Sequence, residues 1–302
     1  MRVGEVRTSI MNYRHAFHAG NFADVMKQAT LVRVLAYLLA KPAPFRVIDT
    51  HAGSGLYDLT STQASRSGEW RGGIARLLAS ALSERAAILL APYLEAVAAC
   101  NEGGQLAVYP GSPILTRRFL RLRDRLIACE REPAAAAALA EHLHGDRRCK
   151  ALAIDGWTAL NAYVPPKERR GLVLIDPPFE EAADFLRLAN AIEGAHRKWS
   201  TGIYLIWYPI KEPASAEAMA RRLRRLNIAK ILRAEMSLST GPATGRLSAC
   251  GLIIVNPPFT LEAELRTLMP QLMAALAGGR GSCRIDWLAR EKSVGLRARA
   301  SA

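Results

Sequence analysis

Apolar residues in the first part of the chain recur at helical spacing. After Asn21, hydrophobic side chains from Val25 to Leu38 follow one another at intervals of three and four, which predicts a helix. Asn21 is a favourable N-cap residue, and Asp24 lies in the first turn, where the helix dipole stabilises an anion. The helix is expected to end before Pro42, since proline cannot continue it.

Short apolar runs alternate with helical stretches along the rest of the chain. Those predicted as strands are Phe45–Asp49, Leu126–Glu130, Ala151–Asp155, Leu172–Asp176, Ile203–Tyr208, Ile228–Met236 and Cys250–Asn256. Strands separated by helices favour βαβ units, so an α/β fold with a mostly parallel, doubly wound sheet is expected. The stretch at about 57–108 is largely helical and is interpreted as an insertion within one domain.

The charge balance points to a polyanionic partner. The 302 residues include 41 Lys and Arg against 27 Asp and Glu, which gives a net charge of +14. Neutralised phosphates release counterions, so a basic protein is expected to bind nucleic acid. Two arginine-rich segments are candidates for that contact, or are merely solvated helix faces: Arg117, Arg118, Arg121, Arg123 and Arg125, and Arg221, Arg222, Arg224 and Arg225.

Cysteine spacing and hydropathy exclude other classes of protein. The five cysteines lie far apart without a CxxC pair, so we expect buried free thiols, no metal site and no disulfide framework. The chain contains no uncharged apolar run of roughly 18 residues, so a membrane-spanning helix is not expected. The first ten residues lack the apolar core of a signal peptide, so a cytoplasmic protein is expected.

A glycine turn follows the strand that ends at Asp49. The segment His51-Ala52-Gly53-Ser54-Gly55 has small residues where a ligand could approach the backbone. Many α/β proteins have such turns, so this signal is weak alone. The segment departs from the G-x-G-x-x-G pattern and the chain has no P-loop, which disfavours a nicotinamide cofactor and nucleotide hydrolysis.

The segment Asp176-Pro177-Pro178-Phe179, directly after an apolar strand, is more specific. Prolines have a fixed φ and no N–H, so the carbonyls of Asp176 and Pro177 face outward without competing donors. A carboxylate beside a carbonyl can accept both hydrogens of one exocyclic amine and aim its lone pair at an electrophile. The Phe179 ring can stack on a base swung out of its helix. The alternative is a strand terminator with an aromatic plug, but the upstream glycine turn favours amino-group methylation.

Several segments together resemble the RlmJ family of S-adenosylmethionine-dependent methyltransferases. Besides the two motifs above, they are residues 13–27, Tyr109-Pro110-Gly111-Ser112-Pro113 and Trp207-Tyr208-Pro209. The similarity extends from about Met11 to Trp287. That family methylates adenine N6 in 23S ribosomal RNA, at position 2030, and has the class I Rossmann-like methyltransferase fold.

The resemblance implies a seven-stranded, mostly parallel sheet in a domain spanning 11–291. This domain would contain the helical insertion at 57–108, with extensions at 1–10 and 292–302. It also implies S-adenosyl-L-methionine as cofactor, 23S rRNA as partner, and a monomer without membrane or metal.

The resemblance further implies roles for single residues. Asp176 would be the catalytic acceptor of the target amine, with substrate contacts from Tyr13, Pro177 and Phe179, where the family commonly has Tyr at this last position. Glu130 would hold the ribose hydroxyls, as a carboxylate that accepts two O–H donors. The cofactor would be bound by Lys27, Gln28, His51, Gly53, Gly55, Ser112, Glu130, Asp155, Gly156 and Asp176. The family often has His where Gln28 stands.

A second string, Asn256-Pro257-Pro258-Phe259, is another accepted form of the motif. In the seven-stranded fold the last strand runs antiparallel, so its end would face away from the ligand edge, whereas the Asp176 strand would lie beside the glycine-turn strand. Asp176 is therefore preferred. Three other functions stay open: a DNA adenine-N6 methyltransferase, a glutamine-amide methyltransferase and a non-catalytic RNA-binding protein.

Overall fold

A computed structural model describes residues 14–180, 183–239 and 247–291. Tyr13 and the two predicted terminal extensions lie outside these ranges. The strands of the described residues are β1 Arg46–Asp49, β2 Leu56–Asp58, β3 Val108–Pro110, β4 Arg125–Glu130, β5 Cys149–Ala153, β6 Gly171–Ile175, β7 Ile203–Pro209, β8 Ile231–Ser237, β9 Ala249–Val255 and β10 Ser282–Ala289. The helices are α1 Phe22–Leu39, α2 Thr62–Ser67, α3 Glu69–Gly72, α4 Ile74–Leu78, α5 Glu84–Ala98, α6 Ser112–Phe119, α7 Pro133–His142, α8 Gly156–Tyr163, α9 Asp184–Lys198, α10 Pro213–Arg225 and α11 Leu261–Ala277, with 3-10 turns at His15–Phe17 and Glu102–Gly104.

Eight of these strands form one sheet in the order β10-β8-β9-β7-β6-β1-β4-β5. The pairings show that β9 and β10 run antiparallel to the other six. The mostly parallel α/β sheet is therefore confirmed, and β6 lies beside β1 as predicted. The sheet has eight strands rather than the expected seven.

The additional strand is β10 at one edge of the sheet. Its polar residues Ser282, Arg284 and Asp286 alternate with less polar ones, a pattern typical of an edge strand with one solvated face rather than of a buried apolar run. Cys283 on this strand is exposed, so the prediction of a buried thiol is wrong there. The described cysteines are free thiols.

Helices cover both faces of the sheet because successive strand residues point to opposite sides. Leu172 and Leu174 of β6 pack in the hydrophobic core that contains α1, α5, α6 and α11. Val173 and Ile175 of the same strand pack in the second core, against α9 and α10. This arrangement buries both faces of β6 and leaves its carboxyl end for chemistry.

Helix α1 begins where the sequence predicts. The Asn21 side chain accepts a hydrogen bond from the Asp24 backbone N–H (2.9 Å), and the helix ends at Leu39, before Pro42. Its first three turns are buried, including the polar residues Lys27 and Gln28. Because burying a charged side chain is costly unless it is paired, these residues indicate a site at the start of α1.

Residues 57–108 are largely helical, as expected, and they leave and re-enter the sheet region through a small two-stranded ribbon. Tyr57 of β2 pairs with Tyr109 of β3 in antiparallel register. Helices α2 to α5 lie between these two strands in sequence. No helix of the described ranges is both long enough and apolar enough to span a bilayer.

Candidate active site

Three acidic residues meet at one edge of the sheet. Asp49 ends β1, Glu130 ends β4, and Asp176 directly follows β6. Strand β1 pairs in parallel with both β4 and β6, which brings the three carboxyl ends together. The chain leaves β1 toward β4 and β5 and then returns to the other side of β1, so this edge is the topological switch point where α/β sheets bind ligands.

Asp176 is in direct contact with a buried lysine. Lys27 Nζ donates to Asp176 Oδ2, and it lies 2.8 Å from Asp24 Oδ1. Lys27 is 4% exposed. Burial favours its neutral form, but the carboxylates of Asp176 and Asp24 raise the pKa of Lys27 well above its usual value. The charged ammonium is thus shared between two carboxylates.

Asp24 holds this lysine from the other side. Its Oδ2 accepts from the Gly20 N–H (2.9 Å) and lies 3.1 Å from His15 Nε2. Burial opposes ionisation, yet the charges of Lys27 and His15 and their hydrogen bonds lower the pKa of Asp24. A continuous chain of polar contacts therefore links the N-terminal turn to Asp176.

Asp49 is a site residue that the sequence analysis named only as the end of a strand. It is fully buried, and its Oδ2 accepts from Ser112 Oγ (2.6 Å). Its Oδ1 has no hydrogen-bond partner among the described residues. Burial raises the pKa of Asp49 to about 7 against the hydrogen bond from Ser112, and the charge of Asp176 adds to the rise. The sequence signal was an acid placed directly before the glycine turn.

The glycine turn needs its glycines. Gly53 and Gly55 have φ values of 62° and 89°, in the left-handed region that favours glycine. A Cβ on Gly53 would lie 2.0 Å from the Tyr57 hydroxyl oxygen. The Gly53 N–H donates to Glu130 Oε2 (2.9 Å), so the turn and the predicted ribose-binding carboxylate are held together.

His51 is a neutral hydrogen-bond acceptor at this edge. The Thr50 hydroxyl donates to the Leu174 carbonyl (2.9 Å), and its oxygen lies 2.8 Å from His51 Nδ1. Because the single hydroxyl hydrogen goes to Leu174, Nδ1 carries the His51 proton and Nε2 has a lone pair. Burial lowers the pKa of His51 to about 4, which keeps the ring uncharged near neutral pH.

The start of α8 closes against the same turn. Asp155 caps this helix, since its Oδ2 accepts from the Thr158 N–H (3.0 Å). A Cβ on Gly156 would lie 2.2 Å from the Thr50 carbonyl oxygen and 2.7 Å from His51 Cε1. Glycine at 156 therefore lets α8 approach the turn, and Trp157 contacts the His51 ring edge-on at 5.4 Å.

The remaining predicted residues of the described ranges are Pro177, Phe179 and Gln28. Pro177 is buried, and the partly buried Phe179 ring packs on Phe185 at 4.9 Å and Trp207 at 6.0 Å. Gln28, next to Lys27, is 1% exposed and its Oε1 has no partner among the described residues. Residues 14–180, 183–239 and 247–291 contain no group of three His, Cys, Asp or Glu side chains able to hold a metal ion.

The second Pro-Pro string lies elsewhere. Asn256 follows the antiparallel strand β9 and is therefore at the opposite edge of the sheet from Asp176. Its Nδ2 donates to the carbonyls of Ser200 (2.7 Å) and Gly202 (2.8 Å). Asn256 thus ties two loops together, and the preference for Asp176 is consistent with the strand direction.

Arg125 and the arginine cluster on α10 also lie toward that opposite edge. Arg125 is the first residue of β4, and α10 ends at Arg225 shortly before β8 begins. Several of these side chains have local partners: Arg121 binds Asp124, Arg222 binds Asn190, and Arg224 binds Glu217. The α10 cluster and Arg125 are therefore remote from the carboxyl ends of β1 and β6. Arg117 is closer, because it binds the carbonyl of His142, whose ring contacts the Ser54 carbonyl of the glycine turn (2.7 Å).

Comparisons with known proteins identify the family. A family model described as "Ribosomal RNA large subunit methyltransferase D, RlmJ" matches residues 42–289. Ribosomal RNA large subunit methyltransferase J of Escherichia coli K12 is 36% identical over 283 residues, covering 93% of this chain and 100% of that protein. The Haemophilus influenzae protein of the same name is 35% identical over 285 residues, covering 93% and 100%.

A solved structure agrees with the sequence matches. The crystal structure of a protein from Legionella pneumophila superposes with a TM-score of 0.82 at 34% identity, covering 89% of this chain and 98% of that one. The family model covers most of the chain, and both curated relatives are covered over their whole length. The chain therefore belongs to the RlmJ family of ribosomal RNA large subunit methyltransferases.

Proposed function

We propose that this protein transfers a methyl group from S-adenosylmethionine to N6 of an adenine in 23S ribosomal RNA. The observation that carries the proposal is Asp176, followed by Pro177, Pro178 and Phe179, at the carboxyl end of β6 and beside the glycine turn of β1. Family membership supports the ribosomal RNA substrate. The resemblance of the motifs is what specifies adenine N6 and the target position.

The residues around the glycine turn fit this cofactor. Asp49 Oδ1 is a buried oxygen without a partner among the described residues, suited to accept from the ammonium of the methionine part. Glu130 would accept from the ribose hydroxyls, and His51 Nε2 would accept from a further N–H or O–H donor. Asp155 and Gly156 would contact the adenine. When bound, the cofactor supplies a methyl group attached to a positively charged sulfur.

The target amine would be bound by the Asp-Pro-Pro-Phe segment. Lys27 engages Asp176 Oδ2, which leaves Oδ1 for one amine hydrogen. In the same loop, the Pro178 carbonyl accepts from the Glu180 N–H (3.2 Å) and the Phe179 carbonyl lies 3.4 Å from Lys211 Nζ. The Pro177 carbonyl is then the natural acceptor for the second amine hydrogen, while Phe179 stacks on the flipped base.

Orientation is the main contribution of these groups. Methyl transfer from a sulfonium is an in-line displacement, so fixing the amine lone pair toward the methyl carbon lowers the entropic part of the barrier. The amine nitrogen becomes acidic only as the new carbon–nitrogen bond forms. Asp176 Oδ1 is positioned to take the proton that the nitrogen then loses, and Lys27 keeps this carboxylate in place.

The test uses purified protein, labelled S-adenosylmethionine, protein-free 23S RNA from cells lacking this gene, and duplex DNA in parallel. Nucleosides of each product are identified by mass spectrometry. We expect N6-methyladenosine in the RNA sample alone. Label in DNA would favour the DNA methyltransferase. Cofactor binding with no label in either nucleic acid would direct attention to another amine, such as a glutamine amide, and failure to bind the cofactor would favour a non-catalytic RNA-binding protein.

A further inference from the structure

A groove next to Asp176 lies outside the cofactor and target-base sites. It has a volume of about 420 Å³ and is formed where β7 and β8 end and where β9 and β10 begin. Because Ser237 pairs with both Ala249 and Ser282, these four strand ends meet at the same edge as Asp176. Strand β7 is the direct neighbour of β6, so the groove continues the active-site edge.

Lys211 stands where the groove meets the active site. It is exposed, follows β7, and its Nζ lies 3.4 Å from the Phe179 carbonyl oxygen. A hydrogen bond with Glu69 raises the pKa of His18, and the charge of Lys211 opposes that rise, so the lysine is also near the N-terminal turn. Lys211 is a cation without an ion-pair partner among the described residues at the mouth of the site.

The far side of the groove is charged but internally balanced. Glu235 accepts from the Tyr208 hydroxyl (2.7 Å) and lies 3.7 Å from Arg284. Beneath it the fully buried Arg233 binds Asp286 through two nitrogens, each 2.8 Å from a carboxylate oxygen. These charged groups form ion pairs with one another. Lys211 is therefore the charge of the groove that no such pair among the described residues neutralises.

The shape and lining of the groove suit one nucleotide. Its volume falls within the roughly 300–1,000 Å³ typical of small-molecule sites. Ile210 and the exposed Pro213 give the groove apolar lining, and Ser248 and Ser282 bring hydroxyl groups for sugar or base edges. The groove thus combines apolar surface with polar groups, and a bound nucleotide uses both.

We propose that this groove binds a nucleotide adjacent to the target adenine along the RNA strand, with Lys211 on the phosphate that links the two. This inference rests on the proposed function. An RNA occupant is favoured by the position of Lys211 between the stacking residue Phe179 and the groove. It is also favoured by the position of the α10 arginines, which lie away from Asp176 and leave strand contacts on this side of the site to other cations.

The first test compares Lys211→Ala with Lys167→Ala. Lys167 is exposed and precedes β6, so its removal is the same charge change at the opposite edge. K211A is expected to raise the KM for 23S RNA about tenfold, the loss of one charge-assisted contact, with cofactor affinity unchanged. The logarithm of the RNA-binding constant falls linearly with the logarithm of the salt concentration, and the magnitude of this slope should decrease by about 0.7–0.9, as expected for one lost phosphate contact. Equal KM values and slopes for the two variants would overturn the proposal.

The second test uses the exposed Cys283 thiol on the rim of the groove. A bulky maleimide attached there should block RNA methylation while cofactor binding persists, and bound RNA should slow the labelling. Maleimide treatment of the Cys283→Ser variant is the control, since any loss of RNA methylation there comes from labelling of the other cysteines. Full RNA methylation by the labelled protein would exclude a nucleotide in the groove.

The two proposals fail in different ways. If the unmodified protein binds cofactor but transfers no methyl group to RNA, the proposed function fails. If it methylates RNA normally and neither K211A nor the Cys283 adduct changes RNA binding or methylation, only the nucleotide groove fails.

Discussion

Lys27 holds the side chain of Asp176, the proposed acceptor of the target amine. An ammonium between two carboxylates at 4% exposure is stable only as a complete set, because removing one partner leaves a buried charge unpaired. The resemblance implies a cofactor contact for Lys27, which stays a prediction. In the structure its contacts are with Asp176 and Asp24, so its main role is expected to be in positioning Asp176.

Replacing Lys27 separates these two roles. Lys27→Met should lower kcat about 100-fold, since a small displacement of a reacting group has effects of that size, while the Kd for the cofactor changes less than twofold. The measurements are steady-state kinetics and calorimetric titration.

Because K27M removes the charge partner of Asp176 and leaves Asp24 with only His15 and the Gly20 N–H, its free energy of unfolding should fall by about 3–5 kcal/mol. The double variant K27M with Asp24→Asn removes one of those charges and serves as the stability control. A weaker cofactor Kd with unchanged kcat would instead establish Lys27 as a cofactor ligand.

As the proposed acceptor for the ammonium of the cofactor, Asp49 is expected to make cofactor binding depend on pH. With a pKa of about 7, this carboxyl is mostly protonated at pH 6 and ionised at pH 8. A positively charged group beside Oδ1 binds the ionised form, so cofactor affinity should rise with pH through 7, by up to about tenfold per pH unit below the pKa. The Asp49→Asn variant should bind the cofactor weakly, and its cofactor affinity should not rise with pH. Titration calorimetry at pH 6, 7 and 8 measures the cofactor affinity of both proteins. If the affinity of Asp49→Asn changes with pH in parallel with that of the unmodified protein, Asp49 is not the group responsible.

At the scale of elements, strand direction distinguishes two similar motifs. Strands β6 and β9 are each followed directly by a polar residue and Pro-Pro-Phe, but β6 is parallel to β1 whereas β9 runs the other way. One motif therefore reaches the ligand edge and the other the opposite edge. The short apolar strands alone do not contain this difference, because direction is a property of the assembled sheet.

The pair Asp176→Ala and Asn256→Ala tests that distinction. D176A should abolish methyl transfer while the protein stays folded. N256A should retain activity but lose about 1–3 kcal/mol of unfolding free energy, since two hydrogen bonds disappear and alanine is disfavoured at a φ of 51°. Thermal unfolding and the methylation assay give both results, and the reverse pattern would overturn the choice of Asp176.

For the whole molecule, the net charge of +14 and the placement of that charge have different consequences. Overall charge attracts RNA without regard to sequence, whereas positioning requires cations near Asp176. The arginines of α10 belong to the first category, because this helix runs from Pro213, at the active-site edge, toward the opposite edge. The proposed phosphate contact of Lys211 belongs to the second.

Reversing charge on α10 tests the long-range contribution. Arg221 and Arg225 are exposed, whereas Arg222 and Arg224 are bonded to neighbours, so the double variant Arg221→Glu with Arg225→Glu disturbs the fold least. RNA affinity should fall at low salt and its salt dependence should flatten, with kcat unchanged. Filter binding across a salt series measures this. Unchanged affinity and slope would mean that this helix face is only solvated.

Features that depend on a few neighbouring residues could be predicted from the sequence alone. The N-cap of α1, the glycines of the turn and the prolines after β6 each restrict φ or hydrogen bonding within a few residues, so they could be recognised before any fold was known. Alternating strands and helices likewise predicted the parallel sheet. The edge strand β10 was not predicted because three of its eight residues are polar and interrupt the apolar run.

Contacts between residues far apart in the chain are known only from the folded structure. Lys27 and Asp176 are 149 positions apart, and Asp49 and Ser112 are 63 apart, so no local pattern relates them. The pKa of Asp49 depends on burial by elements from the whole domain. Which edge of the sheet receives each charge follows from strand direction and helix course, and this placement separates the α10 arginines from Asp176.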